Sequence, residues 1–486
     1  MNYKQTNKSN ANTFKNISLK LVAVFVFLVT SGLRANAQIP SALQTKLQQS
    51  LEELATNYNV KGLSVAVSYP KQGIWKSAVG VSSANTALEE DMLIGIGSNT
   101  KTFVSTLILL LKEDGLVSLD DTIGTWIQGY SNIDGGITIK QLLNHTSGLF
   151  SYTGHNDFYI EMNKDLSKMW TFDELLNTFV NQPEFSPGEK WSYCNTNYAV
   201  AGLIIEKVTG KPWYTVLRNR ILDPHNLDHT FIAPFEDVTD TYAHFWTYIY
   251  SGEYISDMGN YGDNDLVPSQ VNSMATSAGC IVSTAEDNAK FWKLLLAGNI
   301  IKKSTLTNDM FGFVSAGSGK SYGLGLFKSR FMGNDIFSHG GTWLGQICSN
   351  FSDTTNGISI SVLSNQDSLG NDFTDLVART LYMHTLNHYR EFAGVKTSKN
   401  RITTTRIYPN PIQHKMIIDV SSSTMQLAEI DIVNAYGQTI YSLSISDLIG
   451  GSVSINTRDW KPGSYTALLT DIDGKRSYAK IVKASN

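Results

Sequence analysis

Apolar residues alternate from Gly62 to Tyr69, with Leu63, Val65 and Val67 on one side; Lys71-Gln72-Gly73 turns the chain, and Ile74 to Val81 reads as a return strand. From Thr100 to Lys112 the period changes. Phe103, Val104, Leu107, Ile108 and Leu111 recur at helical spacing, and Gly115 closes that helix. A mostly helical, loop-rich middle ends near Phe291, Trp292 and Leu294. Strand patterning returns at Tyr322 to Phe327, Asp335 to Ser338, Trp343 to Phe351 and Ile358 to Ser364, followed by a helical stretch from Phe373 to His388. The sheet is thus begun near one end of the chain and finished near the other. This layout predicts an α/β (α+β) domain: an antiparallel sheet flanked by terminal helices, with a helical subdomain inserted between its strands.

Gly394 to Thr405 is rich in Thr, Ser and Lys and reads as a linker. Beyond it Met416 to Val420, Ala428 to Asn434, Thr439 to Ile445, Ser452 to Asn456, Ser464 to Leu469 and Tyr478 to Val482 are short, evenly spaced strands, which predict a small all-β sandwich. At the other end, Leu21 to Thr30 is apolar, follows Lys4, Lys8, Lys15 and Lys20, and precedes the small-x-small site Ala35-Asn36-Ala37. About ten apolar residues fall short of the ~20 that span a bilayer, so this is read as a signal peptide rather than a membrane span. The expected division is 1–37 signal peptide, 38–390 main domain, 391–404 linker and 405–486 C-terminal sandwich. The mature protein is expected to be soluble and exported.

The length of 486 residues accommodates two or three domains. Lys+Arg number 39 and Asp+Glu 43, a net charge of −4 that is too balanced for a nucleic-acid binder. The cysteines number 3, at Cys194, Cys280 and Cys348, too few for a disulfide scaffold or a Cys-rich metal site. His225 with His229, and His384 with His388, have i, i+4 spacing but no metalloprotease Glu between them, and read as surface or packing residues.

Ser98-Asn99-Thr100-Lys101 starts the predicted helix with a serine and places a lysine one turn later on the same face. A serine hydroxyl needs a neighbour to take its proton, and a buried lysine can do so. The helix start adds amide donors near the nucleophile. Alone the spacing is a weak signal, and an N-cap serine with a surface lysine accounts for it better.

Two further stretches change the weight of this pair. Tyr193-Cys194-Asn195 follows the turn-forming Phe185-Ser186-Pro187-Gly188-Glu189, and Ser338-His339-Gly340-Gly341-Thr342 begins where two predicted strands meet. Together with Ser98 and Lys101 they resemble the three motifs of the serine β-lactamase and penicillin-binding superfamily, on the Tyr-containing branch of class C β-lactamases, DD-carboxypeptidases and related esterases. Ile137 to Leu149, Ala278-Gly279-Cys280 and Tyr322-Gly323-Leu324-Gly325 match at their expected places, so the resemblance covers about residues 45 to 390. Tyr408-Pro409-Asn410-Pro411, Ala435-Tyr436-Gly437-Gln438, Pro462-Gly463-Ser464-Tyr465 and Ile481-Val482-Lys483 resemble the C-terminal sorting domain of the type IX secretion system of Bacteroidetes, the alternative being a carbohydrate-binding or adhesive sandwich.

The first resemblance implies that Ser98 is acylated while Lys101 and Tyr193 shuttle its proton, the phenol serving as a base only where cations lower its pKa. It implies that Asn195 holds the substrate amide and helps orient Lys101, and that the amides of Ser98 and Thr342 form the oxyanion hole, with Gly340 and Gly341 leaving room. No metal or organic cofactor is implied. His339 departs from the lysine of many members; as an unperturbed imidazole it is expected to gain charge as pH falls through roughly 6 to 7, raising preference for anionic substrates. Cys194 stands where serine is common and reads as a small buried residue, and His145 as a structural loop residue. The expected function is an exported serine hydrolase of DD-carboxypeptidase or peptidase type acting on a small peptide, amide or ester. The alternatives are a carboxylesterase, a β-lactamase, or a surface binding protein on an inactive scaffold. The expected partners are that substrate and the secretion machinery.

Overall fold

The structure, a computed structural model, describes residues 39–70, 72–248, 255–261, 267–317, 319–392, 406–419, 427–434, 439–444, 452–471 and 476–484. The expected signal peptide lies outside the described residues, as do the Ala435-Tyr436-Gly437-Gln438 motif and all of the expected linker except its first two positions, which end a helix.

Helix α1 (Ser41–Tyr58) buries Leu43, Leu47, Leu51 and Leu54 and stops at Asn59, whose φ of 50° is left-handed. Strands β1 (Gly62–Ser68) and β2 (Ile74–Ser83) form the expected hairpin, continued by the short β3 (Thr86–Ala87). The inserted part contributes α2 (Thr100–Glu113), α3 (Thr196–Thr209) and α4 (Ala285–Leu296). The chain then returns through β4 (Val314–Ser315), β5 (Ser321–Tyr322), β6 (Phe327–Phe331), β7 (Asn334–Trp343), β8 (Gln346–Asp353) and β9 (Ile358–Ser364), and ends this domain in α5 (Gly370–Phe392).

These strands make one nine-stranded antiparallel sheet in the order β3-β2-β1-β9-β8-β7-β6-β5-β4. Leu63, Val65 and Val67 of β1 pack with α1 and with Leu376 and Leu381 of α5, while Ala66 faces the second core built by Phe103, Leu107, Ile204, Phe291 and Trp292. Every residue of β1 is buried because both faces of the sheet are covered. The rings of Phe103 and Phe291 stack 3.5 Å apart, locking α2 to α4.

The expected strand from Tyr322 to Phe327 is broken in two. Gly325 adopts φ 82°, and a Cβ there would stand 2.4 Å from Ser105 Oγ, so the chain turns tightly against α2 where alternation alone suggested continuity. Strand β7 is longer than expected and carries His339-Gly340-Gly341-Thr342 inside it; the turn falls at Leu344-Gly345.

The C-terminal part forms a three-stranded sheet (Arg406–Tyr408, Lys415–Asp419, Ser452–Asn456) and a four-stranded one (Thr439–Ser444, Leu427–Asn434, Gly463–Asp471, Arg476–Lys483). Met416, Ile418, Ile430, Ile432, Ala467, Leu469 and Ile481 fill the core they share.

Candidate active site

The short strand Ile94–Gly95 leads through Gly97, at φ 48°, into a single 3-10 turn over Gly97–Asn99 and then α2. A Cβ on Gly97 would stand 2.6 Å from the backbone nitrogen of Thr342, so only glycine lets the two segments meet. Beneath the turn, Asn99 donates to Asn288 Oδ1 at 3.0 Å and accepts from Trp292 Nε1 at 3.1 Å, which pins the start of α2 to α4. Ser98 therefore stands on a rigid corner, half-buried, with Lys101 fully buried one turn on.

Lys101 Nζ lies 2.9 Å from Ser98 Oγ and donates to the Ala278 carbonyl at 2.8 Å. Burial holds its pKa well below the ordinary lysine value, so the uncharged amine is favoured. The ring of Tyr193 lies 5.0 Å from that nitrogen, and among the described residues its buried hydroxyl has only Ser98 close by, outside good hydrogen-bond geometry. Burial raises the Tyr193 phenol far above its ordinary value, with Ser98 nearby offsetting only part of the rise. Burial thus works against a phenolate at Tyr193, while at Lys101 it works toward the free amine.

Asn195 begins α3, donates through Nδ2 to Thr153 Oγ1 at 2.8 Å, and its backbone N–H reaches Ser151 Oγ at 3.0 Å. Its side chain is aligned by Thr153, and the partner that orients Lys101 is the Ala278 carbonyl rather than Asn195.

On the opposite wall a Cβ on Gly341 would stand 1.9 Å from Ile96 O and 2.7 Å from Ser98 N, so β7 runs directly against the backbone of Ser98. The backbones at Ser98 and Thr342 are consequently close neighbours. His339, at 2% exposure, presents neither nitrogen to solvent: Nδ1 donates to the Gly340 carbonyl at 2.6 Å and Nε2 accepts from the Tyr322 hydroxyl at 3.0 Å. Burial, above all, pushes its pKa down to about 3. This corrects the expected charge gain between pH 6 and 7; the unperturbed value applied to an exposed ring, and this one is buried.

His145 is also fully buried, at φ 61°. Its Nδ1 accepts the Cys194 N–H at 3.1 Å, and its ring lies 4.4 Å from that of Tyr193, so it holds the Tyr193 loop from behind. Burial keeps it neutral, well below the ordinary histidine range. Cys194, Cys280 and Cys348 are all buried free thiols; burial pushes Cys194 up to about 11. The paired histidines serve separate partners: His225 the Ile221 carbonyl, His229 Asp240, His384 Ser50 and His388 Tyr69. Two contributors escaped the motif reading as site groups, namely the Ala278 carbonyl and Thr153, because each acts through contacts made by the folded chain.

The family described as Beta-lactamase matches residues 47–382, and the family described as Secretion system C-terminal sorting domain matches residues 406–484. Among curated proteins, the chain is 28% identical to Penicillin-binding protein 4* of Bacillus subtilis (strain 168) over 271 residues, 53% of this chain and 57% of that one. It is 27% identical to Penicillin-binding protein 4 of Amycolatopsis lactamdurans over 273 residues, 53% of this chain and 65% of that one. It therefore spans less than two thirds of either relative's length. Among solved structures, a D-stereospecific amidohydrolase from Streptomyces sp. superposes with a TM-score of 0.60 at 28% identity, covering 73% of this chain and 99% of that one. The D-amino acid amidase from Ochrobactrum anthropi SV3, complexed with L-phenylalanine amide, gives 0.61 at 25% identity, covering 74% of this chain and 100% of that one. The C-terminal domain is a sorting domain, which implies a secreted or cell-surface protein, and among the described residues no helix is long and apolar enough to cross a membrane.

Proposed function

The chain belongs to the beta-lactamase family of serine hydrolases, and from that premise we propose that it is an exported amidase or peptidase that forms an acyl-enzyme at Ser98 without requiring a free carboxylate on its substrate. The observation that carries the carboxylate clause is the state of His339: it occupies the position where many relatives have lysine, and it is buried and neutral. The carboxypeptidase form of the reading would have to hold a terminal carboxylate without a cation at this position, so it ranks below the amidase form. Similarity to a D-amino acid amidase and a D-stereospecific amidohydrolase favours amides of D-amino acids as substrates. A carboxylesterase ranks second and a β-lactamase third, since acylation chemistry does not choose the leaving group.

In the proposed cycle Ser98 gives its proton to neutral Lys101 as Oγ attacks the carbonyl carbon, and the amides of Ser98 and Thr342 hold the oxyanion. Collapse breaks the bond to the leaving group, which takes the Tyr193 proton while the phenol is reprotonated from Lys101. Water then attacks the acyl group by the reverse relay, releasing the acid and restoring Ser98. Asn195 offers its carbonyl oxygen to the substrate amide, since Nδ2 is engaged with Thr153.

The domain division 1–37, 38–390, 391–404 and 405–486 is proposed on the same footing, with an N-terminal signal peptide, passage through the periplasm and the type IX machinery as partner. A fluorophosphonate labelling gel separates the enzyme from a binding protein on an inactive scaffold: wild type is labelled and Ser98→Ala is not. Turnover of D-phenylalanine amide against a peptide ending in D-Ala-D-Ala then tests substrate choice. Faster release of D-alanine than of ammonia would overturn the amidase assignment.

A further inference from the structure

Asn371 occupies the first turn of α5, directly after the left-handed Gly370. It stands about 270 positions from Ser98 in the chain, yet its side chain touches the strand that carries Thr342. Its Nδ2 donates to the Gly341 carbonyl at 3.0 Å and to the Cys348 carbonyl at 2.8 Å, while its Oδ1 accepts the Thr342 hydroxyl at 2.6 Å. Both amide hydrogens are thereby used, and the orientation is unambiguous: a flipped amide would aim its oxygen at two carbonyl oxygens. Gly340 makes the approach possible, because a Cβ there would already stand 3.1 Å from Asn371 Nδ2.

The three bonds brace the ends of β7 and β8 at one spot. Gly341 and Cys348 are register partners across these strands, and the Cys348 thiol donates to the Ile96 carbonyl at 3.0 Å, two residues before Ser98. Asn371 therefore ties together the segment bearing Thr342 N and, through Cys348, the segment bearing Ser98 N. An oxyanion hole depends on donors set within a few tenths of an ångström before the charge develops.

We propose that Asn371 is a positioning residue of the oxyanion hole, fixing the Thr342 amide against the Ser98 amide from the last helix of the domain. The proposal rests on the acyl-enzyme reading of Ser98. It predicts a loss confined to the tetrahedral state. In Asn371→Ala, kcat falls by roughly 10- to 100-fold, less than the ~10²–10³-fold for deleting an oxyanion donor, with KM within about twofold. Affinity for a boronic acid that forms a tetrahedral adduct on Ser98 falls in parallel. Thr342→Val, which removes only the hydroxyl Asn371 accepts, gives a smaller loss of the same kind, and the double variant loses less than the product of the two single losses.

The measurements are kcat, KM, boronate affinity, thermal midpoint and fluorophosphonate labelling on the full chain. Unchanged boronate affinity in folded Asn371→Ala, or a KM rise matching the kcat loss, would overturn the positioning role. If Asn371→Ala does not fold, Thr342→Val decides alone by the same readout. Wild type that takes up neither fluorophosphonate nor boronate would instead sink the acyl-enzyme reading.

Discussion

The Tyr322 hydroxyl donates to His339 Nε2 across 3.0 Å, and the other ring nitrogen of His339 is engaged by its neighbour's carbonyl, Gly340 O. A second proton would have to enter a buried ring whose acceptor nitrogen is already occupied. Selectivity between a matched neutral and anionic substrate is accordingly expected to stay constant from pH 5.5 to 8.5. The check is kcat/KM for the pair across that range; a growing preference for the anion below pH 7 would contradict the neutral ring.

The same ring leaves a mark on stability. An unfolded histidine takes up a proton near 6.5, whereas His339 waits until about 3, so the unfolded state binds more protons and stability falls as pH drops through that window. Above the unfolded value the effect vanishes. Urea unfolding of His339→Gln is expected to show a shallower fall between pH 6.5 and 4 than wild type does.

Lys101 carries the opposite trade between activity and stability. Its folded pKa is depressed by burial, so as pH falls below ~10.4 the unfolded chain gains a proton that the folded chain refuses, and stability is lost until the folded pKa is reached. Lys101→Met should therefore lose ~10²-fold or more in acylation, as expected for removing a general base. It should also melt higher than wild type at pH 7, with the gain shrinking toward pH 10. A lower melting temperature at pH 7 would mean the buried amine is not a cost.

Gly341→Ala tests the contact between β7 and the nucleophile. The added methyl would sit 1.9 Å from Ile96 O, and a backbone carbonyl gives way only if the segments part. Parting them separates the two amides, for which a fall of ~10²–10³ in kcat is expected. Activity within a few fold of wild type would show that the oxyanion donors lie elsewhere.

Cys194 sits beside Tyr193 but lacks the means to act. Burial raises its thiol to about 11, leaving almost none ionised at neutral pH. Iodoacetamide should leave native activity intact, and Cys194→Ser should retain most of it; inactivation by the alkylator would place a reactive thiol in the site.

Much of this architecture is legible in the sequence. The helical spacing from Phe103 to Leu111 marks α2 and its Lys101, with Ser98 in the 3-10 turn that leads into it. The strand alternation places the sheet at both ends of the chain. What escaped that reading has two physical origins. Glycine conformations override alternation, as Gly325 does where one expected strand becomes two. Ionisation depends on burial by distant segments: nothing adjacent to His339 in sequence announces Tyr322 as its hydrogen-bond donor. Asn371 shows the same limit, since its meaning comes from Gly341, Thr342 and Cys348.

The pairing of β1 with β9 has a consequence for biosynthesis. The Ser364 hydroxyl reaches the Gly62 carbonyl across 302 positions of sequence, in the interior of the sheet. Closing so large a loop is slow and cannot begin until the distal strand exists. A nascent chain that already contains Ser98, Lys101 and Tyr193 thus lacks the strands that would press Gly341 and Thr342 against the nucleophile. The two walls of the candidate site therefore cannot meet until nearly the whole domain has been made.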